Sequence, residues 1–316
     1  MALENAARSD GRVLLAAALF SLSLQACGGP SAEEERALAR LERLVFVPPG
    51  VCSLGTTGFD CSNPEALLVD RYEVTRGEWL AHLASAPGAA KGPGMRVWGS
   101  WQEGSETLPA TFMTQQEASK FAEGEGMRLL TQREWMRISA GTRAQPWPWG
   151  TSPARSVANT LDLGLYGPLG VGTFEGGATP SGVYDLIGNA REWVTVEQLE
   201  DSQVPSAAAM GGSWLSHQEP LFDFKSATQT GSQVFGLRIA SLEVDARHRS
   251  IDLGFRLASN AEEYLRRVVR ACGLSQATRV RARAVGARWG QPAIELLREL
   301  SGEGEVIVWL LEGAEQ

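Results

Sequence analysis

Gly182-Val183-Tyr184-Asp185-Leu186-Ile187-Gly188-Asn189-Ala190-Arg191-Glu192-Trp193 is the stretch on which the reading of this chain turns. It follows neither a helical nor a strand period. Tyr184, Leu186, Ile187 and Trp193 are interleaved with Asp185, Asn189 and Glu192. Gly188-Asn189 is a turn signal, because both residue types accept positive φ. A turn between two carboxylates returns Asp185 and Glu192 toward each other. With the carbonyls of Gly188 and Ala190 they form the oxygen donor set that a hard cation such as Ca²⁺ requires. The same residues also read as a buried polar turn that satisfies its own backbone, with Trp193 in the core.

Other pieces stand in order around this stretch. Phe46-Val47-Pro48-Pro49-Gly50 and Val69-Asp70-Arg71-Tyr72-Glu73-Val74-Thr75 come first. Arg128-Leu129-Leu130-Thr131-Gln132-Arg133-Glu134-Trp135, Pro148-Trp149-Gly150 and Ala158-Asn159-Thr160 come next, and Gly211-Gly212-Ser213-Trp214 and Leu253-Gly254-Phe255-Arg256 follow the stretch. Together they resemble the signature of the formylglycine-generating enzyme (sulfatase-modifying factor) family over about residues 45–258. The resemblance implies an α+β, C-type-lectin-like architecture that is rich in loops, with calcium in place of a large regular sheet. It places a second calcium site at Asn159 and the carbonyl of Thr160. Asp162 is the acidic candidate there, since no other acidic residue precedes Glu175.

In catalytic members of that family, the segment after GGSW carries a cysteine pair that binds copper. Thiolates select Cu(I) for an O₂-dependent oxidation. Here the two positions fall on Leu221 and Ser226, and no cysteine lies between Cys61 and Cys272. Copper is therefore not expected. What remains is a degenerate cleft walled by Trp214, Phe222 and Phe224, with His217 and Asp223 as polar groups. The leading expectation is a binding or scaffold module whose partner is a peptide, a glycan or an envelope protein. The rival is a formylglycine-generating oxidase, or a relative, that uses a non-standard site.

Residues 1–27 read as an export signal. Arg8 and Arg12 precede an apolar run from Val13 to Leu24, and Leu24-Gln25-Ala26-Cys27 resembles a lipobox. Cys27 would then carry lipid and anchor the protein in a bacterial cell envelope, facing the periplasm or the surface. An ordinary secretory signal with an incidental cysteine is the alternative. Residues 28–44 read as a tether helix capped by Ser31. In an exported protein Cys52 and Cys61 read as a disulfide, and Cys272 as a buried thiol. A net charge of −8 and a pI near 5.1 argue against nucleic acid as a partner.

Three helix starts carry a threonine followed three residues later by glutamate: Thr75 and Glu78, Thr114 and Glu117, Thr131 and Glu134. Beyond residue 258 the family pattern stops. Residues 259–316 read as a small α/β unit. Asn260 caps a helix, Thr278–Val285 alternates arginine with Val and Ala like a strand, and Glu305–Leu311 is an apolar strand.

Overall fold

The computed structural model describes residues 31–54, 59–85, 104–196, 207–218, 221 and 242–316. Helix α1 (Ala32–Arg43) begins where the Ser31 hydroxyl accepts the Glu34 N–H at 3.1 Å. Strand β1 (Leu44–Val47) continues directly from it. Strands β2 (Ser53–Leu54) and β3 (Phe59–Asp60) pair antiparallel, and the expected Cys52–Cys61 disulfide closes them. Strand β4 (Leu67–Asp70) leads to α2 (Arg76–Ser85), α3 (Gln115–Gly124), β5 (Arg128–Leu129) and α4 (Gln132–Ala140). All three Thr–Glu pairs form reciprocal caps. Thr131 N–H, for example, donates to Glu134 at 2.9 Å while Glu134 N–H donates to the Thr131 hydroxyl at 3.1 Å.

After a long run of loops and short 3-10 turns come β6 (Arg191–Thr195), β7 (Ala207–Met210), β8 (Leu242–Val244), β9 (Leu253–Gly254) and β10 (Leu257–Asn260). They complete two sheets, ordered β1-β4-β10-β5 and β8-β7-β6-β9. Only Phe255 and Arg256 separate β9 in one sheet from β10 in the other. Phe255 points into an aromatic group with Trp79 and Phe121, at ring separations of 6.0 and 5.4 Å. The Thr195 N–H donates to the Leu130 carbonyl at 2.8 Å, a second tie between the sheets.

Four helices follow: α5 (Ala261–Ala271), α6 (Gln276–Trp289), α7 (Ile294–Glu299) and α8 (Glu305–Ala314). Asn260 caps α5 as expected. The two strands expected at 278–285 and 305–311 are helices, so the C-terminal unit is helical and not α/β. In α6 the Arg–Ala alternation mimics a period of two, but the buried residues are Thr278, Ala282, Val285, Gly286 and Trp289, which share one helical face, whereas Val280 is exposed. The apolar run in α8 was ambiguous, because a short buried helix and a buried strand look alike in sequence.

Helices α6 and α8 approach closely. A Cβ on Gly286 would lie 1.9 Å from the Leu310 carbonyl oxygen, and one on Gly313 would lie 2.0 Å from that of Arg283. Helix α1 packs with this group: Leu38 and Leu41 share a hydrophobic cluster with Phe255, Val285 and Leu310. Arg281 bridges Glu35 and Glu42, and Trp289 Nε1 donates to the Leu44 carbonyl at 3.0 Å. Cys272 is buried, and burial pushes its thiol up to about 11.

Candidate functional site

The two-residue corner between β9 and β10 places Arg256 at the seam of the sheets, 1% exposed. Its Nε donates to both Glu192 oxygens at 2.9 and 2.8 Å, and its Nη2 donates to the Tyr184 carbonyl at 2.7 Å. Nη1 reaches the carbonyls of Asp70 and Arg71. Trp135 Nε1 donates to Glu192 Oε2 at 3.0 Å. Arg256 thus joins the end of β4, the start of the Tyr184 stretch and β6. Burial opposes its charge, but Glu192 holds its pKa above the ordinary arginine value.

Two more buried carboxylates surround this pair. Glu73 Oε1 accepts the Ala190 N–H at 2.8 Å and Oε2 accepts Asn189 Nδ2 at 2.7 Å. Asp185 Oδ2 accepts the Gly172 N–H at 2.6 Å. Burial, with Asp185 and Glu192 nearby, raises the Glu73 pKa well above the carboxylate range, and burial pushes Asp185 up to about 6. Three carboxylates face one guanidinium, and this crowding of like charge adds to burial in raising the Glu73 and Asp185 pKa values. Sequence reasoning did not single out Glu73 as a site residue. Its signal was its place in the Val69–Thr75 motif, which says nothing of the distant turn it supports.

The Gly188-Asn189 turn is present, with positive φ at both residues. It is docked on Asn159 and Thr160. The Asn189 N–H donates to the Asn159 carbonyl at 2.7 Å, Asn159 Nδ2 donates to Asn189 Oδ1 at 3.1 Å, and a Cβ on Gly188 would meet the Asn159 carbonyl oxygen at 2.4 Å. The two expected calcium positions therefore form one unit.

The first donor set does not fit a cation in this arrangement, because Arg256 and Trp135 engage both Glu192 oxygens. Among the described residues no group of three or more His, Cys, Asp or Glu is placed to hold a metal. The second position differs. Asn159 Oδ1 and Thr160 Oγ1 are buried with no hydrogen-bond partner among the described residues, and both are oxygens of the kind a hard cation takes. Asp162 is directed elsewhere, toward His217 Nδ1 at 2.8 Å and the Gln218 N–H at 2.6 Å.

Of the expected cleft, Trp214 is buried, with its indole N–H unpartnered among the described residues and its backbone N–H on the Asn189 carbonyl at 3.1 Å. His217 is exposed beside Asp162. Leu221 is fully buried, and its N–H donates to the Pro146 carbonyl at 2.8 Å. Cys27, Phe222, Asp223, Phe224 and Ser226 lie outside the described residues.

Two small sheets meeting at a Gly-Phe-Arg corner, with a Gly-Asn turn locked onto Asn159, define an α+β domain of the sulfatase-modifying type. The chain belongs to the family of the sulfatase-modifying factor enzyme 1-like domain, whose sequence pattern matches residues 30–261. It is 27% identical over 166 residues to the inactive C-alpha-formylglycine-generating enzyme 2 of Bos taurus, over 49% of this chain and 51% of that protein. It is also 27% identical over 160 residues to the hercynine oxygenase of Mycobacterium tuberculosis, over 41% of this chain and 37% of that protein. The chain spans about half the length of the first of these relatives and less of the second. Among solved structures, Treponema denticola variable protein 1 is similar at 17% identity and a TM-score of 0.48, over 69% of this chain and 94% of that one.

Proposed function

We propose that this protein is a catalytically degenerate member of its family that serves as a binding or scaffold module on a bacterial cell envelope. The observation that carries the reading is Leu221. It occupies the first of the two positions where the family resemblance puts a copper-binding cysteine, and it is fully buried in a cluster with Trp135, Leu186 and Met210. An isobutyl group cannot ligate Cu(I), and this one packs among core side chains. The similarity to a relative named as inactive supports the same reading.

In this proposal Cys27 carries lipid and holds the domain at the membrane. No described helix is long and apolar enough to cross a bilayer. A peptide, glycan or envelope protein is the partner class. A structural calcium ion belongs to the proposal only at the Asn159–Thr160 niche, where two buried oxygens have no donor among the described residues.

One experiment tests the reading. The full chain is made in a lipoprotein-processing bacterium, its N-terminus is read by mass spectrometry, and it is incubated with Cu(I), O₂ and a Cys-x-Pro-x-Arg peptide. An acylated Cys27 and no aldehyde are expected. Conversion of the peptide cysteine above background would overturn the degenerate assignment, and an unmodified N-terminus elsewhere would remove the anchor.

A further inference from the structure

The start of α1 and the corner between α5 and α6 are held together. Thr278 Oγ1 donates to Glu34 Oε1 at 2.7 Å, and Glu34 lies in the first turn of α1 with its N–H on the Ser31 hydroxyl. Gly273 abuts the same carboxylate, since a Cβ there would meet Glu34 Oε2 at 2.7 Å. Ser275 caps α6 by accepting the Thr278 N–H at 3.1 Å, so the corner has a fixed shape.

On this corner Leu274 is 65% exposed, although Cys272 two residues earlier is buried. Val280, in the second turn of α6, is 59% exposed. The described carboxylates beside them are occupied. Glu34 is buried on Thr278, Arg281 holds Glu35, and Arg279 holds Glu312. Arg270, in the last turn of α5, is exposed. Outstanding apolar side chains near a guanidinium, with the carboxylates neutralised, suit the headgroup layer of a bilayer.

A single exposed leucine needs no explanation. The length of chain leading to this corner is what sets it apart. Four residue steps separate Cys27 from Ser31, and they span at most about 14 Å at full extension. Lipid on Cys27 would therefore hold the start of α1, and the corner bonded to it, within reach of the headgroups. An acyl anchor fixes one point and leaves a domain free to swivel, and a second contact fixes which face is turned to the membrane.

We propose that the α5–α6 corner is the membrane-contacting tip of this protein. Leu274 and Val280 enter the headgroup layer of a lipid surface, and Arg270 meets lipid phosphate. The inference rests on the lipid at Cys27 proposed above and adds to it the orientation of the domain.

The test uses the full acylated chain in vesicles of phosphatidylethanolamine and phosphatidylglycerol, with the acyl group on Cys27 read by mass spectrometry in the same sample. Leu274→Cys, Val280→Cys and Leu165→Cys each carry an environment-sensitive fluorophore. Leu165 is the comparison, an exposed side chain in the loop after Thr160. The native thiols do not compete, because Cys52 and Cys61 form a disulfide and Cys272 is buried. The labels at 274 and 280 should shift to the blue and lose emission to a lipid-borne quencher. The label at 165 should answer only to iodide in solution. Adding Leu274→Glu should remove the lipid response at 280 and leave the melting temperature unchanged. An acylated chain whose labels at 274 and 280 answer only to iodide overturns the corner and leaves the anchor standing. Equal lipid quenching at all three positions overturns the fixed orientation. Shielding that requires added envelope protein gives the corner to a protein partner and overturns the lipid contact. A chain without the acyl group overturns the anchor, and the proposal falls with it.

Discussion

Arg256 and Glu192 form an ion pair in which each side chain is 1% exposed, and the arginine is placed there by a two-residue corner between the two sheets. Water screens almost none of this pair. Removing one partner leaves the other charged and buried, which costs about 3–5 kcal/mol. Arg256→Met should lower the unfolding free energy by that much in urea titrations. A loss under about 1 kcal/mol, the scale of an exposed pair, would show that the pair does not hold the seam.

The surplus carboxylates predict a pH dependence. Asp185 is raised from 3.8 to about 6 in the folded chain, so folding favours its protonated form. Its contribution is therefore full below pH 3.8 and is lost as pH rises through about 6, and Glu73 acts in the same direction. Asp185→Asn removes the charge and keeps an acceptor for the Gly172 N–H. It also suits the positive φ of 57° at this position. The variant should match the parent near pH 4 and exceed it at pH 7 by on the order of 2–3 kcal/mol. Parallel stability curves across that range would contradict the assignment.

The α6–α8 contact leaves no room for a side chain at Gly286 or Gly313, because the obstructing atoms are backbone carbonyls. Gly286→Ala and Gly313→Ala gain helix propensity but must push the helices apart. Each should be destabilising by about 1–3 kcal/mol. Thermal melts of both variants check this, and a melting point at or above that of the parent would refute the packing.

Calcium should act through Asn159. The niche supplies neutral oxygens and no carboxylate, which places its affinity in the weak range of extracellular calcium modules, about 10⁻⁴–10⁻³ M. Millimolar Ca²⁺ should raise the melting temperature, and chelator should reverse the gain. Asn159→Ala should abolish the response, and Asp185→Asn should leave it intact. The opposite pattern between these variants would return the ion to the Asp185–Glu192 position.

Much of the family domain was legible because its signals are local. A threonine three residues before a glutamate fixes a helix start by chemistry within one turn, and all three such pairs cap as read. Gly188-Asn189 declared its turn through backbone freedom. Charge partnership was not legible. Nothing near Glu192 in sequence announces that Arg256, across the seam, would take both its oxygens, or that Glu73 would support the Asn189 side chain. The C-terminal strands failed for a different reason. Arginine alternating with small residues satisfies a period of two by accident, and the helical period was carried by Ala282 and Gly286, whose small size gives little hydrophobic contrast.

The bond between α1 and α6 has a consequence for the order of assembly. Arg281 meets Glu35 and Glu42 across sequence separations of 246 and 239 residues, and the same helices bury Leu38 and Leu41. The earliest described helix therefore keeps its apolar stripe uncovered until some of the latest residues have been synthesised. Contacts of this span close slowly, since a long loop must be ordered before they form. Docking of α1 should therefore wait until α6 has been made, and α1 is the segment that a chaperone would have to shield until then.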